Sequence, residues 1–395
     1  MSVSIKSDQA RDGGGDPNVG SRREPAHGAS RPPRGRILFV SKTAESTGPT
    51  TSLGLLLDRT GGDHDVGVLM EGDGPFRDTL RSKGIPHWSM PSLQRSKIPS
   101  IVRFLRAEKF SLLYANDSSR VSRNVCLAAL LTGTPFVCHV RSMGWRHGWM
   151  RLGHLSAARA VIAVSQACAE SVARFVRPGG LHVVHNGVPI SALSQATTEE
   201  RSRVRAELGI EPETRFILHV GHVSPRKGHD YALEAMARVV ATFPDVRLGF
   251  AGAHDRDPEY VHQIRRMAED LGIPDKVMLL GFRTDVDRLL AGTDLFLHTA
   301  LADPHPRAVL EAMAAAVPVV AFSTDGVRET VEDSVTGYLV STGDSRGAAE
   351  RMLRLLGDPE GAKAMGRAGR ERIADQFLET RTSDGVQRVL GTLLP

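Results

Sequence analysis

Two carboxylates, Asp303 and Glu311, stand eight positions apart in the stretch LADPHPRAVLEAMAAAVPVVAF, residues 301–322. A helix rises about 1.5 Å per residue, so that interval covers about 12 Å if fully helical, and Pro304 and Pro306 put the helix start near Pro306. The separation suits two ends of one extended ligand. It does not suit two carboxyls sharing a proton, which must lie within a few Å of each other. A plainer reading makes Asp303 a helix cap and Glu311 a solvated side chain. The stretch HVGHVSPRKGHDYALEAMARV, residues 219–239, adds cations: a strand ends at Val220, and Gly221, Arg226, Lys227 and Gly228 lead into a helix. Fixed cations and free N–H groups at a helix N-terminus would hold a diphosphate; a solvated basic turn is the alternative.

Other residues of the right chemical type make weaker constellations. In CHVRSMGWRHGW, residues 138–149, His139 is expected just past a strand end and Arg141 follows it. Trp145 opens an aromatic and basic cluster through Arg151, of a kind that rests on a membrane surface or packs on an acceptor. Three Asp-x-Asp tripeptides, at 63–65, 255–257 and 285–287, match a metal-binding pattern too short to be specific, and no metal site is expected. His182 and His185 fall on opposite faces of an expected strand and make poor joint ligands. Cys126, Cys138 and Cys168 lack metal-type spacing and read as core thiols.

The elements that must carry these residues follow from pattern. At 395 residues, 41% apolar and 24% charged, the chain is long enough for two domains. Residues 1–34 are rich in Gly, Ser, Arg, Asp and Pro, and are expected to be a disordered tail. Apolar runs at 36–40, 66–70, 111–114, 134–139, 160–164 and 182–184 alternate with helical stretches such as 98–108, which predicts a parallel, helix-covered sheet. A polar linker, 191–205, precedes a second set of strands at 216–220, 246–251, 277–280, 295–298 and 317–321. The last segment, 348–394, is helical with breaks at 357–359 and Gly385. Domains are therefore placed at 35–192 and 193–375, with a C-terminal helix in 376–395 packing back on the first. Two doubly wound units leave a cleft between the carboxyl ends of their sheets, where such folds bind ligands. No 18-residue apolar window and no signal-like start occur, so a cytoplasmic protein is expected, with membrane-peripheral placement left open. Residues 34–195 carry 20 Lys and Arg against 10 Asp and Glu, and residues 196–395 carry 25 against 31. The basic first half favours an anionic surface or substrate; no nucleic-acid motif accompanies it.

VVHNGVPI (183–190), the basic turn, LLGFRTDVDRLLAGTDLFLHTA (279–300), the opening stretch and DGVRETVEDSVTGYLV (325–340) occur in the order seen in family 4 glycosyltransferases, and the chain resembles that family from Arg36 onward. The resemblance implies the GT-B fold, an α/β architecture of two facing Rossmann-like domains with parallel sheets. It implies sugar transfer from a nucleoside diphosphate sugar to an acceptor hydroxyl with retention at the anomeric carbon. UDP is slightly favoured over GDP, and no cofactor is implied beyond the nucleotide sugar as co-substrate. The acceptor could be a lipid, a polysaccharide end or a small metabolite; peripheral membrane contact is open and nucleic acid is not expected. Carried over by position, Glu311 would hold the ribose hydroxyls, Asp303 would face the sugar in place of the usual Glu, and Lys227 would meet the diphosphate. His139 would be the active-site histidine. Gly48, in the glycine-containing loop of ILFVSKTAESTGPTTSLGLLL, and Gly221 would let the diphosphate approach. His222 stands where the family has Arg, which weakens the phosphate clamp unless Arg226 substitutes or His222 is protonated. Phe282, Arg283, Pro306, Arg307, Ala308 and Val309 complete the donor side, and Thr50, Arg141 and Trp145 the acceptor side. A sugar phosphorylase, a sugar-nucleotide epimerase or a catalytically silent nucleotide-sugar-binding protein would share the phosphate site.

Overall fold

The computed structural model describes residues 6–7, 35–143, 152–194, 196–255 and 257–394. The chain begins with β1 (Lys6–Ser7), β2 (Arg36–Ser41), β3 (Asp65–Glu71), β4 (His87–Met90), β5 (Leu112–Ala115), β6 (Phe136–Val140), β7 (Ala160–Ala163) and β8 (Leu181–Val183). They form one sheet in the order β1-β4-β3-β2-β5-β6-β7-β8. All neighbours are parallel except β1, where Lys6 and Ser7 lie antiparallel to Ser89 and Trp88. The expected disordered tail otherwise lies outside the described residues, as does the cluster at 145–151. A second, wholly parallel sheet holds β9 (Arg215–Val220), β10 (Val246–Ala251), β11 (Val277–Gly281), β12 (Leu295–His298), β13 (Val319–Phe322) and β14 (Tyr338–Val340), in the order β11-β10-β9-β12-β13-β14.

Both sheets are covered on both faces, which is why their strands read as continuous apolar runs. In β2, Leu38 and Val40 enter the core shared with helices Ile98–Glu108 and Arg120–Thr132. Ile37 and Phe39 enter the core shared with helix Gly48–Thr60. The last helix, Glu379–Gly391, contributes Val386, Val389 and Leu390 to that same core, so the chain ends on the first domain. It crosses back at Val188, whose N–H donates to Phe377 O and whose O accepts from Glu379 N–H, each at 2.9 Å.

Four details depart from the sequence expectations. The linker contains a helix, Thr198–Glu207, started by a capping box in which Thr197 and Glu200 satisfy each other's backbone N–H. Gly385 lies inside the last helix and does not break it: a Cβ there would stand 2.8 Å from Val184 Cγ1, so the missing side chain permits close helix–strand contact. The break falls instead at Phe377 and Leu378. Strands β4 and β14 carry no long apolar run and are held in place by their neighbours.

Strand order reverses between β2 and β5 in one sheet and between β9 and β12 in the other. The loops leaving β2, β9 and β12, with the exit of β6 at Arg141, line a cleft of ≈ 2810 Å³ between the domains, at the switch points where ligands of such sheets bind.

Candidate functional site

The second-domain wall is built around the loop after β9. Gly228 has φ 66°, and a Cβ on it would meet Thr299 O at 2.1 Å, so only glycine lets this turn press against the loop after β12. That contact sets Lys227, the last residue of the short turn Pro225–Lys227, at the cleft. The Lys227 stem crosses Gly221, where an added Cβ would stand 3.2 Å from Lys227 Cδ, and its Nζ donates to Asp303 Oδ2 at 2.6 Å. Asp303 is buried, and its own N–H donates to Asp325 Oδ2 at 3.0 Å. Burial alone would raise the Asp303 carboxyl; Lys227, with His298 and Arg226 behind it, outweighs that and leaves it below its ordinary 3.8. Arg226 donates to Ala302 O at 2.8 Å, which ties it to the same loop.

Glu311 lies on helix Arg307–Ala314, whose N-cap is Pro306, close to the expected start. Burial pushes its carboxyl above 4.5, and Arg307, whose Nη2 donates to Glu311 Oε1 at 3.0 Å, opposes the shift. Each of the two carboxylates thus faces the cleft with a cation already on it. Ala308 and Val309 sit in the first turn, where backbone N–H groups lack intrahelical acceptors; the Val309 side chain itself is in the core. Phe282 is 57% exposed into the cleft. Arg283 lines it too, but its Nε and Nη2 are taken by Asp285 at 2.8 and 2.7 Å. His222 and Gly48 also face the cleft.

Behind Lys227 the interior holds buried imidazoles. His219 Nε2 lies 3.2 Å from Lys227 O, the His219 and His229 rings are 4.6 Å apart, and His298 Nε2 is 3.8 Å from Asp303 Oδ2. Burial, reinforced by Lys227, lowers His229 to about 4 and His298 to about 3.

On the first-domain wall two expectations change. Helix Gly48–Thr60 begins before Thr50, which is buried and acts in the cap: its Oγ1 accepts from Thr47 N–H at 2.8 Å and donates to Glu45 O at 2.7 Å. Thr47, Thr51 and Ser52 face the cleft instead. His139 lies within β6, not past its end, because the strand runs on to Val140. It is fully buried, with Nδ1 held by Tyr114 Oη at 2.6 Å, and burial drives its imidazole well below 6.5. Arg141, two residues on, is the one that reaches the cleft, fixed by Asn116 at 3.0 Å and Asn186 at 2.8 Å. Trp145 is outside the described residues.

Further contacts lock the walls together. Arg307 reaches Gly187 O at 3.1 Å and Ser52 Oγ at 3.4 Å, and Asn186 Nδ2 donates to His305 O at 3.0 Å. Glu329 of the second domain accepts from the N–H groups of Gln166 and Ala167, at 2.8 and 2.9 Å, where helix Gln166–Val172 of the first domain begins. His185 Nε2 completes the set at 2.7 Å. Burial works against ionised Glu329, and these donors outweigh it, keeping its carboxyl below 4.5. Glu329 and Asn186 fall in motifs quoted for their family resemblance, yet nothing local in the sequence marks them as partners across domains. Glu329→Ala should speed amide exchange at Gln166 and Ala167 by about 10–150-fold, since a hydrogen bond to a charged group is worth roughly 1.5–3 kcal/mol. Unchanged exchange would show the contact carries no docking energy.

Among the described residues no group of three or more His, Cys, Asp or Glu side chains is arranged to hold a metal ion. Of the Asp-x-Asp tripeptides, Asp257 caps helix Pro258–Asp270 and Asp285 serves Arg283. No helix among them is long and apolar enough to cross a membrane.

A family model described as "Glycosyl transferases group 1" matches residues 200–372, and one described as "Glycosyltransferase Family 4" matches residues 51–192. N-acetyl-alpha-D-glucosaminyl L-malate synthase of Bacillus anthracis is 29% identical over 218 residues, 55% of this chain and 55% of that one. A GDP-mannose-dependent monoacylated alpha-(1-6)-phosphatidylinositol monomannoside mannosyltransferase of Corynebacterium glutamicum is 34% identical over 201 residues, 49% of this chain and 51% of that one. The chain spans about half the length of these curated relatives. The crystal structure of Anabaena HepE in complex with UDP-glucose shares the fold with a TM-score of 0.83 at 24% identity, covering 91% of this chain and 100% of that one.

Proposed function

This chain belongs to the family 4 glycosyltransferases, and we propose that it moves a sugar from a nucleoside diphosphate sugar to an acceptor hydroxyl. The observation that carries the reading is the Lys227–Asp303 pair at 2.6 Å, set at the strand-order reversal of the second sheet with Glu311 on the same wall. A diphosphate would draw Lys227 away from Asp303 and free that carboxylate for sugar hydroxyls. Ribose hydroxyls would replace Arg307 on Glu311.

In the reaction the bond from the anomeric carbon to the β-phosphate oxygen breaks, and a bond to the acceptor oxygen forms. Negative charge gathers on the leaving diphosphate, where Lys227 and the N–H groups opening helix Arg307–Ala314 would stabilise it. The acceptor proton passes to the leaving phosphate on the same face of the sugar, which gives retention without a protein nucleophile. Arg141, Thr51 and Ser52 would border the acceptor. A uridine donor is favoured over guanosine by the UDP-glucose complex of the fold relative, and the mannosyltransferase relative is the argument for GDP.

Two substitutions separate the ends of the donor. Glu311→Gln should weaken binding of free nucleoside diphosphate, while Asp303→Asn should leave it nearly intact and lower turnover by about 10–150-fold, the worth of a lost hydrogen bond to a charged group. Calorimetry and transfer rates at saturating acceptor decide this. Equal loss of nucleotide affinity in both variants, or no rate effect at Asp303, would overturn the assignment. An inverted product anomer by NMR would overturn retention.

A further inference from the structure

Helices Ile98–Glu108 and Arg120–Thr132 lie on one face of the first sheet. Ile101, Phe104 and Leu105 from one, and Val121, Val125 and Ala129 from the other, share a single core. Their opposite sides therefore belong to one outer surface of the domain. On it Leu127, Leu130 and Leu131 are 41%, 57% and 63% exposed, and their spacing puts them on one helix face. The other strongly exposed large apolar side chains among the described residues are accounted for or scattered: Phe282 and Leu301 open into the cleft, and Val183 and Val335 stand singly. A lone exposed leucine is ordinary, whereas three together mark a contact surface.

The neighbouring helix supplies charge. Arg95 and Lys97 lead into it, Arg103 and Arg106 lie on its exposed side, and Lys109 ends it. No ion pair links any of the five to a carboxylate among the described residues. The helix has one acid of its own, Glu108, and that is taken by Arg36 at 3.0 Å.

We propose that this surface rests on an anionic lipid bilayer, with the three leucines entering the interface and the five cations facing phosphate headgroups. Leucines gain nothing from a nucleic-acid backbone, which argues against a polyanion in solution. A second copy of the same face would set five cations against five, a repulsive arrangement in a two-fold dimer. None of the cleft residues enters this argument, so it stands apart from the sugar-transfer reading.

The test is cosedimentation of the full chain with vesicles of phosphatidylcholine alone and of phosphatidylcholine with phosphatidylglycerol in equal parts. Binding is expected only to the anionic vesicles, strong at low salt and weakened at about 0.15 M, where the Debye length is about 8 Å. Arg103→Gln with Arg106→Gln should lower partitioning by about fivefold for each charge removed. Leu127→Ser/Leu130→Ser/Leu131→Ser should lower it by about tenfold or more at 0.15 M salt, and both variants should bind UDP as the parent does. Three results would overturn the proposal: no sedimentation with anionic vesicles at low salt, leucine-variant binding equal to the parent with duplex DNA displacing vesicles from both, or a parent dimer that the leucine variant breaks without any vesicle binding.

Discussion

Lys227→Met should lower kcat/KM for sugar transfer by about 10²–10³-fold, the usual cost of deleting one preorganised donor to a developing negative charge. Methionine keeps most of the stem volume that crosses Gly221, so the β9 loop should hold its shape and the loss should report charge. The deficit should appear with nucleoside diphosphate and be absent with the nucleoside, because the structure places Lys227 beside Asp303 and not beside Glu311. A second consequence follows from the ion pair. Burial already acts to raise the Asp303 carboxyl, and Lys227 is the largest influence holding it down. With the lysine gone Asp303 should titrate higher, and turnover remaining in the variant should fall off at higher pH than in the parent. Rate and calorimetric affinity for nucleoside and nucleoside diphosphate test this. Equal weakening of both ligands, or an unchanged rate, would remove Lys227 from the diphosphate.

Unfolding free energy should drop steeply between pH 6.5 and 4. His229, His298 and His305 are buried, and burial lowers them to about 4, 3 and 3; burial also lowers His139 and His219 well below 6.5. In the unfolded chain these rings bind protons near pH 6.5, while in the folded chain they stay neutral. The unfolded state therefore holds more protons across that window, so stability is fully present above 6.5 and is lost as pH falls toward the folded values. Each histidine contributes a slope of about 1.4 kcal/mol per pH unit. Urea unfolding at pH 7 and pH 5 measures the sum, and His298→Gln should flatten the profile. A midpoint independent of pH over this range would mean the rings are solvated or paired in the folded protein.

Much of the second domain was legible in its sequence because the information is local. Buried parallel strands need unbroken apolar runs, the Gly221–Gly228 turn needs glycine where backbone approaches backbone, and Pro306 sets the start of the helix that carries Glu311. Those features predict the strands and the turns that leave them; the order in which the strands pair, and so the point where it reverses, comes from the structure. Where a strand is short and mixed, as in His87–Met90, its partner supplies the reason it is extended, and no local pattern reports that. The capping box at Thr197 was readable and was hidden by the polar composition around it.

What the sequence by itself determined is the α/β class and the two-domain division, since periodicity and turn chemistry are properties of neighbouring residues; motif order, through the family resemblance, put Asp303, Glu311 and Lys227 forward as candidates. Only the tertiary structure decided which of those groups face each other. His139 and Arg141 are two residues apart on adjoining positions of one strand and its exit; neighbours in the sheet bury the first and the strand's end frees the second for the cleft. Thr50 faces inward because the helix begins at Gly48, which makes Thr50 part of its cap. The Lys227–Asp303 pair and the grip of Glu329 on Gln166 and Ala167 join residues 76 and about 160 positions apart. Such pairings come from how two sheets and their loops pack, and packing is a property of the whole chain.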